Sequence, residues 1–281
     1  MPKTTVNGLE MYYELEGSGP PVVLIAGLSQ DHLGWAFQVP AVAAAGYRCL
    51  SFDSRDAGQT SESASPYAIR QFADDTVGLM DAVGLTSAHI VGASMGGMIA
   101  QEMALQHPAR VSSLTLVCTA SRIDAELGGI LRAWKVQRPH GDPVDFVLSL
   151  SAWLFTHRFY QQPEAVRGFL QMVRDNPYPQ SAAGFQRQCD AVLSHDTHDG
   201  LARITAPTHV IVGTEDILTP PRLSRELADR IQGATLTEVP DTAHVLFLEK
   251  PEAFNAALLR FLGSVGSGGA VGSVGPVQGV R

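Results

Sequence analysis

The chain has 281 residues, 45% apolar and 17% charged, which fits a globular protein with a sizeable core and excludes a disordered chain. Its 20 basic and 28 acidic residues give a net charge of −8, and no Lys/Arg cluster is present for phosphate contacts, so a nucleic-acid partner is excluded. No run approaches the ~20 apolar residues of a membrane span. The longest stretch, VLSLSAWLF at 147–155, is broken by serines, and MPKTTVNGLE has no apolar signal core. A cytoplasmic protein without a membrane partner is therefore expected.

The first element is a hairpin, because extended runs flank Asn7-Gly8 in TTVNGLEMYYEL. Short, nearly continuous apolar runs follow: PPVVLIAGL, RCLSFD at 48–53, AHIVGAS at 88–94, SSLTLVCTA at 112–120, HVIVGTED at 209–216 and ATLTEVPDTAH at 234–244. Continuous rather than alternating runs suit parallel strands covered on both faces. Helical patterns lie between them, as in YAIRQFADDTVGLMDAVG, MGGMIAQEMALQH, RLSRELADRIQ and EAFNAALLRFL. Alternating strands and helices predict an α/β architecture, a mostly parallel sheet flanked by helices.

Residues 121–203 break the alternation. They carry helix-like patterns with Leu131, Trp134, Phe146, Trp153, Phe155 and Phe169, interrupted at Pro139, Pro143, Pro163 and Pro177. This segment is expected to be a helical cap inserted between a first core segment, 1–120, and a second, 204–262. Residues 263–281 are rich in Gly, Ser and Val and are expected to form a flexible tail. Cys49, Cys118 and Cys189 are scattered and odd in number and fit neither a disulfide framework nor a zinc knuckle, and buried thiols are expected at Cys49 and Cys118.

The chemistry concentrates at Gly92-Ala93-Ser94-Met95-Gly96, a G-x-S-x-G string between an apolar run and a helical one. There a strand must turn sharply into a helix, which presents the serine hydroxyl at the carboxyl edge of the sheet. A serine needs a base, and the base needs an orienting acid. In this arrangement acid and base follow the serine in that order along the chain. Asp216 closes HVIVGTED and His244 follows the last strand-like run, so Ser94, Asp216 and His244 form the expected triad, with Glu215 and Asp124 as rivals for the acid. Of the nine histidines only His244 has this order and place. His195, Asp196, His198 and Asp199 have permissive spacing for a metal, but nothing completes a site, and no metal is expected. The oxyanion donors are expected to be the backbone N–H of Met95, at a helix N-terminus, and of Leu28, after VVLIAG. Gly27, Trp35, Trp134, Trp153 and Phe155 are the expected pocket residues. Half or more of the cap aromatics are expected to hold the cap together instead.

These motifs together resemble the α/β-hydrolase superfamily over about residues 6–262. Supporting strings are Asp53-Ser54-Arg55-Asp56-Ala57-Gly58, similar to a D-x-R-G-x-G loop but with Asp56 at the first glycine, and HPARVSSLTLV, ITAPTHVIVGTED and HVLFLEKPEAFNAALLRFL. GASMGGMIAQEMALQHPARV and the final third are similar to 3-oxoadipate enol-lactonases and related esterases. Where many members have His-Gly, this chain has Ala26-Gly27. The resemblance implies a cofactor-free serine hydrolase acting on a small ester or lactone through an acyl-enzyme. Alternatives on the same scaffold are a cofactor-free perhydrolase or oxygen-dependent enzyme, a C–C bond hydrolase, and a catalytically silent binding protein, against which the intact triad counts. An anionic substrate would require an arginine in the pocket, with Arg132, Arg138 and Arg158 available. Natural substrate and oligomeric state are not legible.

Overall fold

The computed structural model describes residues 2–266. Strands β1 (Lys3–Val6) and β2 (Leu9–Gly17) form the expected hairpin. Asn7 and Gly8 both take positive φ, 50° and 80°, the paired left-handed conformation of a tight two-residue hairpin turn. Then follow β3 (Pro21–Ile25), α1 (Val39–Ala44), β4 (Arg48–Phe52), α2 (Ile69–Ala82), β5 (Ala88–Ala93), α3 (Met95–Gln106) and β6 (Val111–Val117). Helices α4 (Ala125–Gln137), α5 (Pro143–Leu154), α6 (His157–Tyr160), α7 (Pro163–Asp175) and α8 (Ala182–Leu193) follow between β6 and the next strand. The chain returns through β7 (Thr208–Gly213), α9 (Pro221–Arg230), β8 (Thr235–Val239), α10 (Leu246–Glu249) and α11 (Pro251–Gly266).

The sheet has eight strands in the order β1-β2-β4-β3-β5-β6-β7-β8. β1–β2 and β2–β4 pair antiparallel, and every other pair is parallel. Strands β3, β5, β6 and β7 are almost wholly buried, which explains their lack of alternation. One face packs α2 and α3 through Phe72, Leu79, Ile99 and Met103, and the other packs α1 and α11 through Val42, Phe254, Leu258 and Leu262. Each such side chain contributes about 1.5–3 kcal/mol by leaving water.

From β3 the chain moves outward to β4 and then returns to the opposite side of β3 as β5. The loops after β3 and β5 thus diverge at a topological switch point, where open α/β sheets leave a crevice at their carboxyl edge. Helix α11 runs past Gly263 to Gly266, beyond the start expected for the tail, and residues 267–281 lie outside the described residues. Among the described residues no helix is long and apolar enough to cross a membrane.

Candidate active site

Ser94 alone joins β5 to α3, with φ 54° and ψ −117°. Such a conformation costs on the order of 1–3 kcal/mol and persists only where its surroundings enforce it. Two close approaches enforce it here. A Cβ on Gly92 would stand 2.1 Å from the Gly96 carbonyl oxygen, and one on Gly96 would stand 2.1 Å from the Ile25 oxygen. The Thr119 hydroxyl also donates to the Ser94 carbonyl at 2.7 Å. Helix α3 is tied down by Gln101, fully buried, whose amide donates to the Gly97 and Ala120 carbonyls.

β7 ends at Gly213, and Asp216 lies in the turn beyond it rather than on the strand. Its Oδ1 accepts from the Leu218 and Thr219 amides, each at 2.9 Å. Its Oδ2 accepts from the Thr219 hydroxyl at 2.8 Å and lies 2.9 Å from His244 Nδ1. A carboxylate only accepts, so Nδ1 carries the proton and Nε2 is left as the basic nitrogen. Thr219 Oγ1 sits 3.1 Å from the same Nδ1 and shares its proton. The loop bearing His244 reaches Asp216 because position 213 is glycine: a Cβ there would meet the Thr242 and Ala243 oxygens at 2.4 Å. Asp216 and His244 are 2% and 4% exposed. Glu215 instead pairs with Arg158, and Asp124 caps α4 and pairs with Arg222.

The loop after β3 passes beside Ser94. Gly27 N–H donates to Gln30 Oε1 at 3.2 Å, and Ser29 N–H donates to Gln188 Oε1 at 3.0 Å. Between them, and among the described residues, the Leu28 N–H meets no protein acceptor, nor does the Met95 N–H at the start of α3. Both amides expected as oxyanion donors are thus without a protein acceptor.

Gly27, Leu28, Ser94, Met95 and His244 line one cavity of about 80 Å³. Its remaining wall is apolar, from Met98, Leu127, Leu131, Trp134, Leu150, Leu154, Phe185, Val192, Leu218, Val245 and Phe247, with Gln30 and Thr219 as polar exceptions. Trp134 is thus the one predicted tryptophan that reaches it. Trp35 does not: its ring packs on Phe247 and Phe254 at centroid distances of 4.9 and 6.3 Å, in the core behind the cavity. Phe155 stacks on Phe159 at 3.9 Å and meets Phe169 edge-on at 5.0 Å, joining the inserted helices to one another. Trp153 packs against the main core and also stays outside the cavity. None of the candidate arginines lines the cavity. Arg132 is exposed, Arg138 bonds the Gln180 carbonyl, and Arg158 is tied to Glu215 and Asp241.

The sequence reading missed Thr219, Gln30 and Gln188. Thr219 has a local signal, since an aspartate accepting from amides two and three residues ahead marks a turn. Gln188 has a subtler one: it shares a helical stripe with Phe185 and Val192, a polar residue on a cavity-facing apolar stripe.

Sγ of Cys118 and ligand atoms of Asp216 and His244 lie within 4.8 Å of one another. The four donors already on Asp216 occupy its lone pairs, so this group does not fit an ion. His198 bonds Ser121 and Glu226, and Asp196 caps the His198 amide, so the HDTHD segment builds a turn. Burial pushes the Cys49 and Cys189 thiols up to about 12 and Cys118 well above its usual range, with Asp216 adding to the last. All three thiols are therefore expected to resist Ellman's reagent in the native protein at pH 8 and to titrate fully in guanidinium. A fast native thiol would contradict this.

The chain matches the alpha/beta hydrolase fold family over residues 20–251. It is 34% identical over 261 residues to BpoC of Mycobacterium tuberculosis, a non-heme bromoperoxidase by name, covering 92% of this chain and 99% of the relative. It is 29% identical over 265 residues to 3-oxoadipate enol-lactonase 1 of Acinetobacter baylyi, covering 93% and 96%. The crystal structure of the enol-lactonase from Burkholderia xenovorans LB400 superposes with a TM-score of 0.86 at 30% identity, covering 93% of this chain and 100% of that one. The chain belongs to the α/β-hydrolase family. It is a hydrolase-type enzyme, similar to the family's lactonases and esterases.

Proposed function

We propose that the protein hydrolyses neutral carboxylic esters or lactones with short acyl groups, through an acyl-enzyme on Ser94. The observation that carries this reading is the Asp216–His244 pair at 2.9 Å opening onto the same cavity as Ser94 on its strained turn. Ser94 attacks the carbonyl while His244 Nε2 takes its proton. The Leu28 and Met95 amides receive the developing oxyanion. His244 then protonates the leaving alcohol, and later activates the water that releases the acid. Asp216 orients the ring and stabilises the imidazolium. Helices α4, α5 and α8 act as the cap that closes the acyl pocket. The substrate is a small molecule and no cofactor enters any step.

Size and charge narrow the substrate. An apolar cavity of roughly 150 Å³ accepts a benzene ring, so one near half that size holds an acyl chain of about two to four carbons. No lysine or arginine lines it, so a carboxylate on the acyl chain would be buried unpaired, at several kcal/mol. p-Nitrophenyl butanoate is therefore expected to exceed the near-isosteric mono-p-nitrophenyl succinate in kcat/KM by about 100-fold or more, and to exceed the octanoate. Equal turnover of the succinate would overturn the neutral-acyl assignment.

The likeness to BpoC motivates a second reading, in which hydrogen peroxide replaces water at the acyl-enzyme and yields a peracid. Acetate- and peroxide-dependent bromination of monochlorodimedone, lost in Ser94→Ala, would support it. Bromination persisting in that variant would rule it out.

A further inference from the structure

Ser29 adopts φ 64°, a left-handed conformation that a serine holds only under constraint. Ser29 is the third residue of a turn closed by the Gln30 N–H on the Gly27 carbonyl at 3.2 Å, and the insertion pins that turn from outside. Gln188 on α8 is fully buried, accepts from Ser29 N–H at 3.0 Å and donates to the Arg55 carbonyl at 2.8 Å. Both ends of its amide are thus spent on core backbone, one of them on the residue after Leu28. Gln30 engages the residue before it.

We infer that Gln188 is a positioning residue: it clamps Ser29 so that the Leu28 amide stays open to the cavity as an oxyanion donor. The inference rests on the serine-hydrolase reading above. It makes the oxyanion loop dependent on the seating of α8. That helix is seated by the neighbouring Arg187, which grips Asp56 through two 2.8 Å bonds, and by Gln180, which donates to the Asp56 carbonyl. Phe185 and Val192 of the same helix wall the acyl pocket. One helix therefore both shapes the pocket and sets the donor loop.

The test is the rate at which a methyl alkylfluorophosphonate phosphonylates Ser94, followed by intact mass and peptide mapping, with ester kinetics in parallel. Gln188→Met keeps the volume but removes both hydrogen bonds. Gln188→Glu keeps an acceptor oxygen for Ser29 and, with its carboxyl held neutral by burial, donates a hydroxyl to the Arg55 carbonyl in place of the amide. Gln186→Leu removes a comparable bond, from Gln186 to the Lys135 carbonyl, on the same helix but away from the loop. A misplaced donor costs up to about 100-fold. Gln188→Met is expected to be phosphonylated roughly 10- to 100-fold more slowly and to lose kcat equally, with KM within about twofold. Gln188→Glu is expected to recover much of the loss, and Gln186→Leu to match the wild type. If Ser94 is labelled equally fast in wild type and both Gln188 variants, the positioning role is overturned while the serine-hydrolase reading stands. The role is equally overturned if Gln186→Leu slows labelling as much as Gln188→Met. A wild type that is never labelled at Ser94 overturns both.

Discussion

Ser94→Ala is expected to lower kcat on p-nitrophenyl butanoate by roughly 10⁶-fold, the loss typical of removing the nucleophile from a serine–histidine–acid set. The residue that remains still has its oxyanion donors and cavity, so about 10³- to 10⁴-fold acceleration over water should persist. The fold should not change. The Ser94 contacts that define the turn are backbone ones: its amide donates to the Val117 carbonyl, and its carbonyl accepts from the Gly97 and Met98 amides and from Thr119. Alanine keeps the Cβ and all of these. Circular dichroism and the melting temperature are therefore expected to match the wild type, which separates lost chemistry from lost structure. A variant retaining more than a tenth of wild-type turnover would remove Ser94 from the mechanism. The hydrolase class would then have to rest on another nucleophile at the same edge.

The parts of the site legible in the sequence are those the backbone dictates. A serine between Gly92 and Gly96 at a strand–helix junction is held on a tight turn by the close approaches at both glycines, and strand order carries Asp216 and His244 to the same edge. The aromatic predictions depended on rotation about a helix axis, which composition does not report. On α5, Leu150 and Leu154 are four residues apart and share a face that reaches the cavity, while Trp153, about 60° from Leu150 and about 100° from Leu154, does not. On α4, Leu127, Leu131 and Trp134 recur at helical spacing, and all three line the wall. Three residues separate Trp134 from Leu131 and Trp153 from Leu150 alike, so the seating of each helix over the sheet, not periodicity, separates the two tryptophans. Periodicity also has no purchase on Trp35, whose short turn buries it against Phe247. Gln188 was hidden for another reason: its partners, the Ser29 amide and the Arg55 carbonyl, are more than a hundred residues away and are settled only by the tertiary fold, whereas Gln30 and Thr219 bond residues three positions away in their own turns.

The substitution Asp56 for a usual glycine illustrates how such a departure becomes a structural commitment. Asp56 holds φ 64°, which aspartate tolerates better than most residues, and its side chain is wholly inaccessible. Its oxygens accept from the Ser63 amide, the Tyr67 hydroxyl and the Arg187 guanidinium. Asp56 in turn holds the Arg187 guanidinium above its usual range and, with burial, pushes the Tyr67 phenol up. Arg187→Met is accordingly expected to destabilise the protein by about 3–5 kcal/mol, because it strands a buried carboxylate. The loss should read as a melting temperature lower by on the order of 10 °C. Adding Asp56→Asn should restore much of the stability, because asparagine also accepts positive φ and carries no charge. An Arg187→Met variant as stable as wild type at pH 8, or a double variant no better than the single one, would show that α8 is held by apolar packing rather than by this pair.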